Sequence, residues 1–326
     1  MINSNNYAYF PDRHIDIEIV NCPCCESKNY KEITKSFDYD YFTTNIIFTI
    51  VNCLDCGLTY INPRPKITEV EKIYPPEYSA YHFDKIENTI IKKARNFMQS
   101  GKAKRIFKCI KDNEQEIRII DIGCGSPAFL KLIENFSNRR KIDLYGNDVS
   151  SEILLSVENA GFKTVPGTFE NVEWEENFFD VVVMNQVIEH LFDVKGNLNK
   201  VFRLLKSGGV LFIETPSDEG LDAKLFRKKY WGGYHVPRHL QIFNALTIDR
   251  MLKSYGFVVE QIECLPSPNF WTSSIRNFLF TKGIPRYLTR RMNYSNLFFM
   301  TLFTLLDTVI IPFHCTSNMR VIARKP

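Results

Sequence analysis

The feature that most constrains the fold is an alternation of short apolar stretches and amphipathic stretches between residues 116 and 263. The apolar stretches include IRIIDI, IDLYGND, FDVVVMN and VLFIETP. The intervening stretches, such as PAFLKLIENF, have the apolar spacing of a helix that buries one face. Apolar strands that alternate with such helices are typical of a parallel sheet covered on both faces. The sequence therefore predicts an α/β fold with a doubly wound, Rossmann-like sheet.

The segments outside this alternation have other compositions. Residues 1–65 hold clustered cysteines, and residues 66–115 are rich in Pro and Tyr before they become helical. Within residues 116–326, a hydrophobic insertion over 265–318 separates the last two predicted strands. We therefore predict a small N-terminal module, a helical connector and a cofactor-binding domain with these bounds. The helix before VLFIETP is expected to end at Gly208, because glycine commonly terminates helices.

Four of the nine cysteines form two C-x2-C pairs. Two such pairs can present four thiolates to one tetrahedral Zn²⁺ ion, and the β-rich stretch between them suits a small ribbon over about residues 18–63. The predicted ligands are Cys22, Cys25, Cys53 and Cys56. Cys24 is an alternative ligand within the first pair. A site closed by four thiolates has no open position, so we expect this zinc ion to be structural.

The N-terminal stretch MINSNNYAYFPDRH has no pattern of basic residues followed by an apolar run. We therefore expect the protein in the cytoplasm, where clustered thiols bind metal more often than they form disulfides. The net charge is only +4, and Lys and Arg are dispersed along the chain. Nucleic-acid binders usually concentrate basic residues, so the composition disfavours that class of partner.

The stretch IIDIGCGSPAFL predicts a strand, a glycine turn and a helix, which is the shape of a nucleotide-cofactor loop. The spacing of Gly123, Gly125 and Ala128 fits a dinucleotide fingerprint. Two residues oppose the pyrophosphate of a dinucleotide: Asp121 adds negative charge at the strand end, and Pro127 removes a backbone donor near the start of the helix. The charge of the loop therefore disfavours NAD-type cofactors.

The same loop suits S-adenosylmethionine, which has no phosphate and carries a sulfonium and an α-ammonium group. Asp121 favours the cationic end, Gly123 and Gly125 let the backbone approach the nucleoside, and Asp148 is placed to accept hydrogen bonds from the ribose hydroxyls. Proline is tolerated at the first position of a helix, so Pro127 is compatible with this ligand. The predicted cofactor is S-adenosylmethionine.

Five motifs follow one another in a set order: IIDIGCGSPAFL, YGNDVSSEIL, FFDVVVMNQVIEHLFD, VFRLLKSGGVLFIETPS and HVPRHLQIFNALTIDRMLKSYGF. This order resembles that of class I S-adenosylmethionine-dependent methyltransferases. The stretch CPCC…CLDCGLTYINPRP resembles the ribbon that precedes this domain in a subset of them, including sugar C-methyltransferases. The resemblance implies an enzyme whose seven-stranded sheet has an antiparallel last strand, here MRVIAR.

The resemblance also implies roles for individual residues. It puts Asp121, Gly123 and Gly125 at the methionine end of the cofactor and Asp148 at the ribose. Residues that would lie beside the adenine are Thr168, Phe169 and Glu170, and residues that would lie near the methionine or the substrate are Asn185 and Gln186. The sequence departs from the family pattern where Pro127 replaces the third glycine and where Thr168 stands in place of a common acid.

Three histidines are candidates for acid–base chemistry on a methyl acceptor. Imidazole titrates near neutral pH and is the usual general base. His190 follows the fourth predicted strand, and His235 and His239 lie in WGGYHVPRHLQIF, which mixes aromatic rings with polar groups as a sugar site does. The alternative is structural: His190 packs against or caps the next helix, and His239 is a hydrogen-bonded core residue. The sequence leaves both interpretations open.

The hydrophobic insertion contains a run of 17 residues, LFFMTLFTLLDTVIIPF, that is short for a membrane-spanning helix. One interpretation is a helix that packs on the domain or across a homodimer. The other is a helix in a membrane surface, with contact through 286–312 and with Arg286, Arg290 and Arg291 meeting anionic headgroups. The second would place the protein at the inner face of the membrane.

The favoured function is methyl transfer from S-adenosylmethionine to a sugar, a glycan or another small molecule, nucleotide- or lipid-linked, as in polysaccharide biosynthesis. One alternative is an RNA base methyltransferase with a zinc ribbon, which would need a basic path that the dispersed charge does not suggest. Another is a binding module without catalytic activity. The acceptor and the methylated atom stay open at this point.

Overall fold

The structure is a computed structural model, and it describes residues 14–75, 78, 89–110, 116–137, 141–172, 174–289, 292–293 and 296–326. Of the side chains in helices, those of 89–92, 94–95 and 286 lie outside this description. The described residues form two compact units, each drawn from three stretches of sequence. Unit 1 lies within Met1–Tyr78, Thr215–Ile248 and Glu263–Met319, and unit 2 lies within Ser79–Glu214, Asp249–Ile262 and Arg320–Pro326.

Unit 2 contains most of a seven-stranded sheet. Its strands are β6 (Glu116–Ile122), β7 (Lys141–Asp148), β8 (Lys163–Pro166), β9 (Phe179–Asn185), β10 (Leu205–Pro216), β12 (Val258–Leu265) and β13 (Asn318–Arg324). The strand order is β12-β13-β10-β9-β6-β7-β8, and β10, β9, β6, β7 and β8 pair in parallel. The order reverses at β6 and β9, which is where doubly wound sheets bind ligands.

The last strand runs against its neighbour. The backbone of Gly208 and Gly209 exchanges hydrogen bonds with Lys325, while Ser217 bonds to Ser317, so β10 and β13 advance in opposite directions. The prediction of a doubly wound α/β fold with an antiparallel last strand is therefore confirmed.

Helices of unit 2 cover this sheet: α2 (Thr89–Cys109), α3 (Ala128–Asn135), α4 (Ser151–Asn159) and α5 (Val194–Leu204). α7 (Ala245–Ser254) begins in unit 1 and ends in unit 2. Apolar side chains of α2 and α3, such as Ile106 and Leu130, pack with Ile119 of β6 and Val181 of β9 in one core. The apolar strands form this core because both faces of the sheet are covered.

Unit 1 contains a small antiparallel sheet in the order β11-β4-β3-β2 and a separate pair of β1 with β5. The strands are β1 (Ile17–Glu18), β2 (Tyr30–Ser36), β3 (Phe48–Cys53), β4 (Thr59–Ile61), β5 (Arg64–Pro65) and β11 (Gln241–Ile242). The helices are α1 (Val70–Ile73), α6 (Leu221–Phe226), α8 (Pro268–Thr281), α9 (Arg286–Thr289) and α10 (Leu297–Ile310). The core of this unit joins distant stretches of sequence, for example Phe48, Trp231 and Tyr234.

Two details differ from the sequence expectations. α5 ends at Leu204 rather than at Gly208, because Leu205 already pairs with Phe179 and Gly208 bonds to Lys325. β11, which pairs with β4 across about 180 residues, was not predicted from the sequence. The division into 1–65, 66–115 and 116–326 stays a prediction.

Candidate functional site

Four polar residues mark the carboxyl edge of the large sheet. Asp121 lies near the end of β6, Asp148 ends β7, Asn185 ends β9, and Glu214 lies near the end of β10. These strands are parallel, so their carboxyl ends meet at one edge of the sheet. Polar side chains at the ends of otherwise apolar strands are typical of ligand sites in this fold.

The glycine turn after β6 takes a backbone that only glycine adopts readily. Gly123 has φ of 63°, and a Cβ there would lie 2.8 Å from Cγ2 of Val187. Gly125 has φ of 62°, and its N–H donates to Oδ2 of Asp148 over 3.0 Å. Asp148 also accepts from the Ser150 N–H over 2.9 Å. The turn is thus tied by a hydrogen bond to the carboxylate at the end of β7.

Of the four polar residues at this edge, Asp121 has the environment that is least suited to a carboxylate. Its side chain is 2% exposed, and Oδ1 is buried without a hydrogen-bond partner among the described residues. Burial raises the pKa of Asp121 to about 7, the neighbouring Asp148 charge acts in the same direction, and the Lys102 charge opposes them. A buried carboxyl oxygen without a partner is costly unless a ligand supplies a donor. This atom therefore fits the α-ammonium group of S-adenosylmethionine.

Lys102 in α2 is a candidate that the sequence analysis missed. Its Nζ lies 2.6 Å from Oε2 of Glu214 and donates to Oδ1 of Asn185 over 2.8 Å. Arg320 donates to Oε1 of the same glutamate over 2.7 Å, and these two cations hold the pKa of Glu214 below its usual value despite burial. Lys102 lies in a helix with many exposed charges, so only the tertiary structure distinguishes it. Glu214 had a sequence signal, since it is an acid at the end of an apolar strand.

The predicted adenine residues lie in and before a short 3-10 turn, Phe169–Asn171, that follows β8. Phe169 is buried, and Nζ of Lys200 lies 5.0 Å from its ring centroid. Glu170 accepts from Nδ2 of Asn197 over 2.9 Å. Oγ1 of Thr168 is buried without a partner among the described residues, so it is a second polar atom that a ligand would satisfy.

His190 and Gln186 follow β9, as predicted. Gln186 has φ of 57°, which is strained for a residue with a side chain, and its N–H donates to the Glu214 carbonyl over 2.8 Å. His190 ends the 3-10 turn Ile188–His190 and is partly buried. The turn therefore leaves the sheet at the strand end where ligands bind in this fold, and a catalytic role for His190 stays a prediction.

In unit 1, His235 forms a dyad with a carboxylate. Its Nδ1 donates to Oδ2 of Asp40 over 2.7 Å, and Arg276 donates to Oδ1 of Asp40. Burial would raise the pKa of Asp40, but the Arg276 charge and the His235 hydrogen bond hold it below its usual value. The rings of Tyr41 and Tyr78 have centroids 6.1 and 6.2 Å from the His235 ring. An imidazole whose Nδ1 is bound to a carboxylate has Nε2 available as a base.

His239 has a different environment. It is buried, and Nδ1 donates to the Gly233 carbonyl over 2.8 Å. This bond fixes the tautomer, because a carbonyl oxygen only accepts. Next to it in sequence, Arg238 is 1% exposed and forms a bidentate pair with Asp38 at 2.9 and 3.1 Å. His239 thus has the hydrogen bond expected of a core residue, and its catalytic role also stays a prediction.

The four predicted zinc ligands cluster in unit 1. Their sulfur atoms all lie within 4.8 Å of one another, with Cys22 and Cys56 3.5 Å apart and Cys25 and Cys53 also 3.5 Å apart. A tetrahedral zinc ion with Zn–S bonds of about 2.3 Å needs sulfur atoms about 3.8 Å apart. The cluster is therefore compatible with zinc.

The backbone of the second cysteine pair favours a thiolate at Cys53. Burial would raise the pKa of the Cys53 thiol, but backbone N–H groups of Cys56 and Asp55 lower it to about 7. Gly57 follows this pair with φ of 86°, which lets the chain turn back into β4. Thiolates are the form that binds metal, and without an ion only Cys53 is favoured in that form, since the pKa values of Cys22, Cys25 and Cys56 are raised.

The doubly wound sheet, the glycine turn and the acidic strand ends together define an α/β domain that binds a nucleoside cofactor. Residues 93–262 match the family model described as "Methyltransferase domain". This match covers more than half of the chain, and the chain belongs to this family. The prediction of a class I methyltransferase domain is therefore confirmed at the level of the family.

Relatives with curated names cover parts of the chain. A probable S-adenosylmethionine-dependent methyltransferase of Mycolicibacterium smegmatis is 29% identical over 149 residues, which are 44% of this chain and 52% of that protein. The sterol 24-C-methyltransferase erg6 of Aspergillus fumigatus is 28% identical over 105 residues, which are 31% of this chain and 28% of that protein. The chain thus spans about half or less of the length of these two relatives.

Among solved structures, a putative sarcosine dimethylglycine methyltransferase of Galdieria sulphuraria is 13% identical. The similarity covers 71% of this chain and 85% of that one, with a TM-score of 0.48.

Proposed function

We propose that this protein transfers a methyl group from S-adenosylmethionine to a small-molecule acceptor. The observation that carries the proposal is Asp121, a buried carboxyl group with an oxygen that has no donor among the described residues. S-adenosylmethionine supplies an electrophilic methyl group and an ammonium group that this oxygen would accept from. Asp148 would hold the ribose, and the Thr168 hydroxyl, which has no partner among the described residues, would hold the adenine end. Membership of the methyltransferase family supports the same conclusion.

For the acceptor we propose a sugar, a glycan or a similar hydroxylated molecule. The support comes from unit 1, where His235 lies beside a pair of tyrosine rings, Tyr41 and Tyr78, and is oriented by Asp40. Aromatic rings suit the apolar faces of a sugar ring, and an oriented imidazole suits the removal of a proton from a hydroxyl group. In this proposal His235 is the general base, and Asp40 fixes the tautomer of His235.

We further propose that the cysteine cluster binds one structural zinc ion through Cys22, Cys25, Cys53 and Cys56. The sulfur distances support this, and four thiolates would complete the coordination of the metal without an open position. The ion would stabilise the small sheet of unit 1, since metal binding to such a ribbon is coupled to its folding.

Isothermal titration calorimetry with S-adenosylhomocysteine tests the cofactor proposal. We expect one binding site per chain in the wild-type protein and a large loss of affinity in Gly123→Ala, where the new methyl group meets Val187. Heat from NAD⁺ but not from S-adenosylhomocysteine would refute the proposal.

Transfer of a radioactive methyl group tests the acceptor. Nucleotide sugars, lipid-linked glycans and RNA are offered separately to the zinc-loaded protein. We expect product with a sugar-containing acceptor and its loss in His235→Ala, whereas His14→Ala, at an exposed histidine, should retain activity. Product with RNA only, with binding that weakens steeply as salt is raised, would favour the RNA alternative.

A further inference from the structure

A row of exposed apolar side chains lies along one face of α10 and the turn that follows it. Phe298, Leu302, Leu305 and Val309 recur at helical spacing, and Phe313 continues the row. These five side chains are between 46% and 73% exposed. Residues at this spacing lie along one side of a helix, so they form a continuous apolar stripe. We call these five residues the α10 stripe.

The opposite side of α10 is fixed to unit 1. The Phe303 ring stacks on Trp271 with centroids 5.5 Å apart and an interplanar angle of 2°. The buried Asp307 accepts from Nε1 of Trp271 over 2.8 Å and from the Ser267 N–H over 2.5 Å. α10 is therefore a docked helix whose outer side is apolar, and its exposure does not come from a loose end of the chain.

The charge of the sequence around α10 indicates which kind of surface the α10 stripe would contact. Residues 265–318 contain five basic residues, Arg276, Lys282, Arg286, Arg290 and Arg291, and a single acid, Asp307. Arg290, Arg291 and the side chain of Arg286 lie outside the described residues, so they enter only as charges of the sequence. That acid is buried, and Arg276 pairs with Asp40. The described part of this segment therefore exposes no carboxylate, and Lys282 adds an exposed positive charge.

We propose that the α10 stripe binds the surface of an anionic lipid bilayer. Apolar side chains would enter the region between headgroups and acyl chains, and basic residues of the same segment would meet the headgroups. A second copy of this chain fits less well, because it would bring the same positive charge to the contact. Among the residues that the structure describes, no helix is both long and apolar enough to cross a bilayer. The proposed contact is therefore peripheral.

Cosedimentation of the full-length, zinc-loaded protein with vesicles tests the proposal without any assay of activity. Vesicles of phosphatidylcholine with phosphatidylglycerol are compared with vesicles of phosphatidylcholine alone. We expect binding to the anionic vesicles and its decrease as salt is raised, because screening weakens the attraction of basic residues to headgroups. Equal binding to both kinds of vesicle, or no binding, would overturn the proposal.

Matched variants locate the contact. Leu305→Ser with Val309→Ser should weaken binding to anionic vesicles at least about tenfold, because two large apolar side chains no longer enter the bilayer. Leu155→Ser with Leu246→Ser changes two exposed leucines of other helices and should bind like wild type. Lys282→Glu should weaken binding about fivefold or more through charge alone.

Sedimentation equilibrium without lipid tests the alternative that a second copy of this chain covers the α10 stripe. We expect the wild-type protein and the Leu305→Ser, Val309→Ser variant to have the same mass in solution. An oligomer that this variant dissociates, together with absence of vesicle binding, would assign the stripe to self-association and refute the lipid proposal. Circular dichroism of each variant checks that α10 remains folded.

Discussion

At the scale of single residues, Asp121 combines a cost to the folded protein with a use in ligand binding. Burial raises its pKa from 3.8 to about 7. The folded state therefore binds more protons than the unfolded state between these values, and the free energy of unfolding falls as pH rises through that window. The ionised form is the one that attracts an ammonium group, so the cost appears at the pH where the ligand binds.

The first prediction concerns the pH dependence of ligand affinity. With a pKa of about 7 for Asp121, the affinity for S-adenosylhomocysteine should rise about tenfold from pH 6 to pH 8, in proportion to the ionised fraction. Calorimetry at several pH values measures this. Asp121→Asn should bind more weakly with a flat profile between these values, and its ligand-free form should unfold at a higher temperature than wild type at pH 8. An unchanged rise in the variant would exclude Asp121 as the titrating group.

The second prediction concerns Lys102, whose charge lowers the pKa of Asp121. Lys102→Met should move the midpoint of the same pH profile upward, because Asp121 loses its compensating charge. It should also lower the free energy of unfolding by about 3 kcal/mol, since Glu214 loses one of its buried partners. Lys104→Met, at an exposed position of the same helix, should change neither quantity. Denaturant unfolding and calorimetry measure the two effects.

Some residues of the candidate site were predictable from the sequence, and others were not. The positions of Asp121, Gly123 and Asp148 at strand ends and in a glycine turn were predictable, because such features have local signatures. Lys102 and Arg320 were not, because their role depends on Glu214, which is more than 100 residues from each. The partner of His235 was also hidden, since Asp40 lies 195 residues away.

At the scale of secondary-structure elements, the two cysteine pairs connect the turn before β2 to the turn between β3 and β4. The third prediction is that the zinc-loaded protein contains one metal ion per chain and that Cys53→Ser loses most of it. Its melting temperature should fall by several degrees, as for loss of a structural ion. Cys24→Ser is the matched control and should keep both metal and melting temperature. Elemental analysis and thermal unfolding measure the outcomes, and retained metal in Cys53→Ser would contradict the proposed ligand set.

The positions of the long apolar strands were predicted well from the sequence, whereas the ends of elements were predicted poorly. β6, β7, β9 and β10 lie where the apolar stretches indicated. The C-terminal end of α5 was wrong by four residues, because Lys206 bonds to Asp180 and the glycines after it pair with the end of the chain. Local periodicity contains no information about such contacts. The outward side of α10 likewise depends on a tertiary contact, because the buried Asp307 fixes which side of the helix faces inward.

At the scale of the whole molecule, the two proposed ligands should protect different parts of the chain. The fourth prediction is that S-adenosylhomocysteine, at about 100 times its Kd, stabilises the protein by about 2.7 kcal/mol. Hydrogen exchange should show this as slower exchange in β6 and β7 of unit 2. Removal of zinc should instead speed exchange in β2, β3 and β4 of unit 1. The peptides outside each set are the internal reference, and a reversed pattern would show that the ligands were assigned to the wrong units.

Each compact unit is assembled from three stretches of the chain, so the boundary between units is crossed five times. A recombination event that exchanged only the first 78 codons would replace Asp38 and Asp40 but keep Arg238, His235 and Arg276. The fully buried Arg238 would then have to find a new counter-charge, and the loss of one partner of a buried pair costs about 3–5 kcal/mol. Codons that are some 200 positions apart in the gene must therefore be inherited as one set, and homologous exchange is restricted to donors that preserve these pairs.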